Sequence, residues 1–272
     1  LAQLITKGNG PGEMFSCALG LHSNASDNFY LQDPNSKTCY IVDLKTLLNS
    51  RKFVPDEQFR YSSEVLATSD LCLLDDNRYI GYHMWYLDDK QFSKVDSPLG
   101  YYQKGEDSGK GMDDFPFFVA SVNGARLFKN PQTQELWTAD MHRDAIRIYN
   151  DSLKQIRELV GPDHFSPEYT RRQIDAPVAF VTFADECDYH AYTDYYITDK
   201  HIYLVYEGNK HFDMKNLSPV EIFKLDFDGN LLCNYKLDRY VYSISINKKE
   251  DTLYCASRPS VMEPPVILKY KL

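Results

Sequence analysis

A strand-like block that recurs along the chain, an aromatic-rich composition and a near absence of helical periodicity predict an all-β fold. The fold class is a β-propeller of four-stranded antiparallel blades, with five blade units visible. The blocks start at Asn28, Arg78, Glu135, His201 and Thr252, 50 to 66 residues apart, and a four-stranded blade takes about 40–50 residues. Aromatics make up 14% of the chain, with 21 Tyr and 15 Phe but 2 Trp. Tyr and Phe favour pleated, half-buried positions, so they lean the composition toward strands.

The two clearest blocks are hairpins. Asn28–Asp33 leads through a polar turn to Thr38–Asp43, and Glu135–Asp140 leads to Ala145–Asn150; each is a strand, a turn and a second strand that closes on a turn-forming side chain. Innermost strands are expected at Phe15–Leu21, Leu66–Leu74, Val119–Phe128, Tyr192–Thr198 and Val241–Ile246. Glu221–Asp226 and Leu231–Leu237 read as the outer hairpin of the fourth blade, with Gly229 at a turn that needs positive φ. Val266–Leu272 ends the last blade as its third strand, and Leu1–Thr6 is a candidate for the fourth, which would leave no open edge. Asp43–Asn49 is the one candidate for a helical turn. The longest insertions run from Lys104 to Pro116 and from about Ser166 to Tyr189. Because the repeat runs end to end, residues 1–272 read as a single propeller domain.

A net charge of −9 argues against a nucleic-acid partner, which needs a basic footprint. No segment approaches the ~18 apolar residues of a membrane span. The six cysteines include no CxxC pair and sit mostly in apolar runs, as small buried hydrophobes do. The chain opens without Met or a signal peptide and reads as a trimmed or mature product.

Gly8-Asn9-Gly10-Pro11-Gly12-Glu13-Met14-Phe15 resembles the G-x-GPGEF signature of the TolB-like propellers abundant in gut Bacteroidetes. Phe128 and Asn130-Pro131 ahead of Leu136-Trp137-Thr138-Ala139-Asp140 extend the match, as do Tyr195 to Tyr203 and Phe227-Asp228-Gly229-Asn230 leading to Leu237-Asp238-Arg239. These blocks span nearly the whole chain in the family's order. The resemblance implies a six-bladed ring, an exported lipoprotein of the cell envelope with a lipid anchor upstream, and no agreed activity. In that family a blade precedes the GPGE segment, and Leu1–Thr6 would then be its last strand. The signature also has a plain structural reading: an inter-blade turn in which Glu13 bonds backbone amides.

Four motifs invite chemistry. In an extended segment Glu186, Asp188 and His190 share one face, and two carboxylates with an imidazole suit calcium or zinc; no second cluster supplies the remaining ligands, so a solvated acidic loop with a chance His is the preferred reading and no cofactor is expected. His142 would be a general base in Asp140-Met141-His142-Arg143-Asp144, oriented by either carboxylate, with Arg143 holding an anion; the bland reading is a β-turn. Glu106 to Gly111 lacks the spacing of a phosphate loop, and Asp226 to Gly229 lacks the distal Glu of a calcium loop. Aromatic clusters at His83 to Tyr86 and Tyr189 to Tyr196 serve either core packing or recognition. Candidate ligand contacts are therefore His83, Trp85, His142, Tyr189 and Tyr192.

The expected function is a non-enzymatic binding or scaffold propeller that recognises a protein, peptide or glycan on one face. The alternative is a metal-assisted hydrolase or lyase with its site at the mouth of the central channel. That alternative rests on fold analogy, and fold does not imply function.

Overall fold

The computed structural model describes residues 5–8, 10, 13–14, 19–21, 28–33, 36, 38–60, 68–75, 78–83, 92–96, 101–104, 124–167, 169–175, 178–183, 189–208, 213, 215–260 and 262–272. The chain divides into two compact units, Leu1–Tyr86 with Lys90–Asp107, and Leu87–Asp89 with Ser108–Leu272.

In the first unit β1 (Thr6–Lys7) pairs in parallel with β2 (Glu13–Met14). The Gly8–Gly12 signature links them: Gly8 N–H donates to the Met14 carbonyl, and Gly10 N–H donates to Glu13 Oε2 at 2.9 Å. A Cβ on Gly8 would lie 2.0 Å from that carboxylate, so any side chain there would push Glu13 off its bond to Gly10. Glu13 thus bonds a backbone amide, as the structural reading of the signature expects. Thr6, expected at the end of a blade's fourth strand, is paired with Glu13; residues 1–4 lie outside the described residues.

One four-stranded sheet follows in the order β3 (Leu19–Leu21), β4 (Asn28–Asp33), β5 (Thr38–Asp43) and β6 (Glu57–Arg60). Between β5 and β6 stands α1 (Leu44–Ser50), capped by Asp43 Oδ1, which accepts from Thr46 N–H at 2.6 Å. The helix buries Leu47 with Met14, Leu31, Val42 and Phe53. A second sheet runs β7 (Thr68–Asp75), β8 (Arg78–His83), β9 (Phe92–Asp96), β10 (Tyr101–Lys104). Its first two strands fall where the repeat places them.

The second unit opens with a four-stranded sheet of β11 (Ala125–Lys129), β12 (Leu136–Asp140), β13 (Ala145–Tyr149) and β14 (Gln155–Val160). The stretch expected as an insertion contains a hairpin, β15 (Tyr169–Asp175) with β16 (Val178–Phe183). Next come β17 (Tyr192–Ile197), β18 (Ile202–Tyr206), β19 (Glu221–Leu225) and β20 (Leu231–Lys236). The last sheet is β21 (Val241–Ile246), β22 (Thr252–Ser257) and β23 (Val266–Lys271), three strands among the described residues. Innermost strands sit side by side, β11 next to β17 and β17 next to β21.

β18 shows why these sheets stack. All five of its residues are buried, because alternate side chains enter two different cores. Ile202, Leu204 and Tyr206 pack with Phe128, Trp137, Ile148 and Phe223, while Tyr203 and Val205 pack with Val241, Ile244 and Leu253. A strand covered on both faces reads as a continuous apolar run. Cys39 and Cys255 are fully buried, and burial pushes each thiol up to about 12, so both behave as the inert hydrophobes expected.

One end of the three sheets is closed by side chains that imitate turns. Asn130 Oδ1 accepts from Gln132 N–H, Asn150 Oδ1 from Ser152 and Lys154 N–H, and Asn247 Oδ1 from Asp251 and Thr252 N–H. Asp226 Oδ1 accepts from Asp228 and Asn230 N–H, so its carboxylate belongs to the hairpin turn; Gly229 takes φ +89° there.

At that same end Glu250 joins two sheets. Its carboxylate accepts from Thr198 Oγ1, lies 2.6 Å from His201 Nδ1, and accepts from Tyr203 Oη at 3.2 Å and Lys224 Nζ at 3.3 Å. Burial pushes the Glu250 carboxyl up, but the bonds from Thr198, His201 and Lys224 outweigh it and hold the group below the usual glutamate range. A carboxyl depressed in the folded state stabilises the fold above its unfolded pKa, about 4.3, and that contribution is lost as pH falls through the folded value. Glu250→Gln should therefore cost about 1–3 kcal/mol near neutrality. Urea melts of the two proteins should converge below about pH 4; a difference that persists undiminished at pH 3 contradicts the assignment.

Candidate functional site

At the other end of the same three sheets the connections carry chemistry instead of turn mimics. Here β11, β17 and β21 begin, and here the β12–β13, β18–β19 and β22–β23 connections lie. Backbone bonds lace the connections together: Met141 N–H to the Gly124 carbonyl, Ala191 N–H to Met141, and Glu207 N–H to Ala191, all within 2.8 Å.

His142 and His190, from neighbouring sheets, meet edge to face with ring centroids 5.3 Å apart. His190 Nδ1 is 3.6 Å from Glu207 Oε2. Tyr240, just before β21, bonds the Glu207 carboxylate; burial first, then the Glu207 charge, push its hydroxyl well above the usual tyrosine range, against the pull of Arg258 and Arg126. The row His142, His190, Glu207, Tyr240 thus crosses three sheets.

Two β-bulges stand beside this row. Register slips between Tyr192 and Asp194 in β17 and between Val241 and Ser243 in β21, which makes Thr193 and Tyr242 the extra residues. An arginine braces each bulge. Arg126 Nε donates to the Thr193 carbonyl at 2.7 Å, and the Arg258 guanidinium lies 4.9 Å over the Tyr242 ring. Bulges re-aim side chains and are enriched near sites. In the first unit the backbone of β7 also slips near its start, between Thr68 and Asp70.

The flanking carboxylates are committed elsewhere. Asp140 is buried, its Oδ2 accepting from Arg143 Nη1 at 2.9 Å and Arg147 Nη2 at 2.6 Å. Burial raises its carboxyl to about 8, against the pull of Arg147. Asp144, also buried, accepts from Asp163 and His164 N–H and from Tyr192 Oη. Residues 141–144 form the turn between β12 and β13 that the bland reading expects.

Of the expected site residues, His142 and His190 are brought together, although the sequence offered them for different roles. Tyr189 lies beside them, edge-on to Phe165 at 5.4 Å. Tyr192 belongs to the core, 2% exposed and packed on Tyr206 and Phe223. His83 ends β8, with only its backbone described, and Trp85, Glu186 and Asp188 lie outside the described residues. Among the described residues no three His, Cys, Asp or Glu side chains are placed to hold a metal ion. The sequence reading missed Arg126, Thr193, Glu207, Tyr240 and Arg258. Glu207 and Arg258 each follow a block's last strand residue directly, a position that aligning the blocks would have marked.

Four-stranded antiparallel sheets, each entered at its innermost strand and set side by side, define a β-propeller chain. The chain belongs to the TolB-like 6-blade propeller-like family, whose model matches residues 1–249. Among solved structures it is similar to a member of the duf4221 family from Bacteroides vulgatus, with 10% identity and TM-score 0.53 over 100% of this chain and 82% of that one. It is also similar to Kuenenia stuttgartiensis hydrazine synthase (10% identity, TM-score 0.48, 95% of this chain), of whose chain it spans 59%. A candidate exported protein from Bacteroides fragilis matches at 13% identity and TM-score 0.47, over 93% of this chain and 69% of that one. No curated protein matches. Among the described residues no helix is long and apolar enough to cross a membrane.

Proposed function

We propose that the chain is a non-enzymatic recognition propeller of the cell envelope, holding a protein, peptide or glycan on the bulged end of its second unit. One observation carries this reading: the innermost strands β17 and β21 of the unit's last two sheets both bulge at that end, each bulge braced by an arginine, beside a half-buried polar row laced by backbone bonds. Side chains held in advance lose little freedom on binding, which favours recognition. The opposite end spends its polar groups on its own turns. The envelope address rests on the resemblance to exported family members.

The test is a thermal-shift screen of the intact chain against peptides, oligosaccharides and divalent cations, since a ligand specific for the folded state raises the melting midpoint. A peptide or glycan hit should weaken at least tenfold on His190→Ala, about 1.4 kcal/mol. Turnover of a bound compound, abolished by His142→Ala or Glu207→Gln, would replace this reading with the hydrolase or lyase alternative.

A further inference from the structure

The third strand of the last sheet differs from its counterparts. β13 and β19, third in their sheets, are largely buried, and the exposed strands there are the fourth, β14 and β20. β23 is third in its sheet, yet it has the burial pattern of β20, with Val266 44% and Ile267 61% exposed. No strand lies beyond it among the described residues. Leu272 N–H donates to the Asp251 carbonyl, which sets the phase of the ladder. With Thr252 opposite Lys271 and Leu253 opposite Tyr270, the backbone groups of Val266, Leu268 and Tyr270 bond β22, and those of Ile267, Lys269 and Lys271 turn away from it. Such an edge is a template for another strand.

The two complete sheets of the unit show what that strand carries. Each joins its third strand to its fourth through opposite charges at directly paired positions. Arg147 Nε lies 3.7 Å from Glu158 Oε2, and Lys236 Nζ lies 3.6 Å from Glu221 Oε1. On β23 the corresponding charges are Lys269 and Lys271. Lys269 lies 5.8 Å over the Tyr254 ring, and neither lysine has an ion pair among the described residues. Leu268, Tyr270 and Leu272 face the other way, onto the core shared with β18. A second copy of β23 fits poorly, because antiparallel self-pairing centred on Lys269 sets lysine against lysine. The chain's own Leu1–Leu4 carries no carboxylate, and Ile5 beside it packs on the core of Met14 and Leu47 in the first unit.

We propose that β23 takes up, as a fourth strand, an extended segment of a partner protein in which acidic and apolar residues alternate. Its carboxylates pair with Lys269 and Lys271, and its apolar residues lie beside Leu268 and Tyr270. The site is separate from the polar row of the bulged end, and neither depends on the other.

The test is fluorescence polarisation of a labelled, acetylated octapeptide of alternating valine and glutamate with the intact chain, beside its valine–lysine counterpart. The glutamate peptide should bind and the lysine peptide should not. Lys269→Glu with Lys271→Glu should weaken the first about tenfold and admit the second, an exchange that a merely damaged fold does not produce. Ile267→Pro should abolish binding with little change in melting midpoint, because the lost N–H faces away from β22. In hydrogen exchange the Ile267, Lys269 and Lys271 amides should be unprotected in the free chain and protected in the complex. Equal binding of both peptides, or binding of neither, overturns the proposal. So does protection of those three amides in the free chain, which would put a strand of the chain itself or of a second copy on that edge; sedimentation tells the two apart. All of these outcomes leave recognition at the bulged end to its own probe, His190→Ala.

Discussion

Trp137→Ala should cost about 3–5 kcal/mol, the largest effect of any single truncation in the second unit. The indole is fully buried in the core shared by the first two sheets. It touches Phe128 at 5.9 Å between centroids and lies beneath Arg157 at 5.8 Å. A Cβ on Gly229, in a turn of the neighbouring sheet, would come within 3.3 Å of the ring, so the backbone fits closely around it. Such a packed site collapses poorly, and the cavity term adds to the lost transfer energy. Trp137→Phe should cost much less, about 1–2 kcal/mol, because Nε1 is buried without a partner among the described residues and no hydrogen bond is lost. Urea unfolding followed by circular dichroism measures both. A cost under about 1 kcal/mol for the alanine variant would contradict the shared core, since domains are stable by only about 5–15 kcal/mol.

Asp144→Ala should be nearly as damaging, about 3–4 kcal/mol, for a different reason. Asp144 Oδ2 accepts from Asp163 N–H at 2.6 Å and His164 N–H at 2.8 Å, and Oδ1 from Tyr192 Oη at 3.1 Å. Removing the carboxylate leaves three donors unmatched, two of them backbone, at a residue 1% exposed. The segment it holds also supplies Asp163 to Tyr206 Oη, so the loss spreads into the core. Gly161→Ala should act on the same device, because its Cβ would lie 1.8 Å from Asp144 Oδ1. Native-state hydrogen exchange distinguishes this from general loosening: the Asp163 and His164 amides should lose protection first. Uniform loss across the unit would contradict it.

What could be read from the chain beforehand followed how local each signal is. The second strands of the sheets were legible because an apolar run between turn residues is a local pattern, as at Ile202–Tyr206 and Thr252–Ser257. Gly229 and Asp226 were legible because turn chemistry is decided within four residues. The hairpin of β15 and β16 was passed over, although Val178–Phe183 carries a strand-like run, because it falls outside the blade interval. The site was legible only in pieces. His142 and His190 are 48 positions apart and meet because two sheets present the same end. Arg126 and Thr193 meet across a bulge, and no spacing rule announces which residue a strand will skip. Tyr192 was open to either reading because an aromatic at a blade end looks the same facing core or solvent; its bond to Asp144 decides for the core.

If recognition happens at the bulged end of the second unit, a bound ligand must shield the connections there. Amide hydrogen exchange of the intact chain, with and without a peptide or oligosaccharide retained in the screens, tests it most directly. New protection is expected in 141–144, 189–194, 206–208 and 240–243, with little change elsewhere. Protection confined to the outer strands at 155–160 and 231–236, or to the turns at 226–230 and 247–251, would place recognition elsewhere and contradict it.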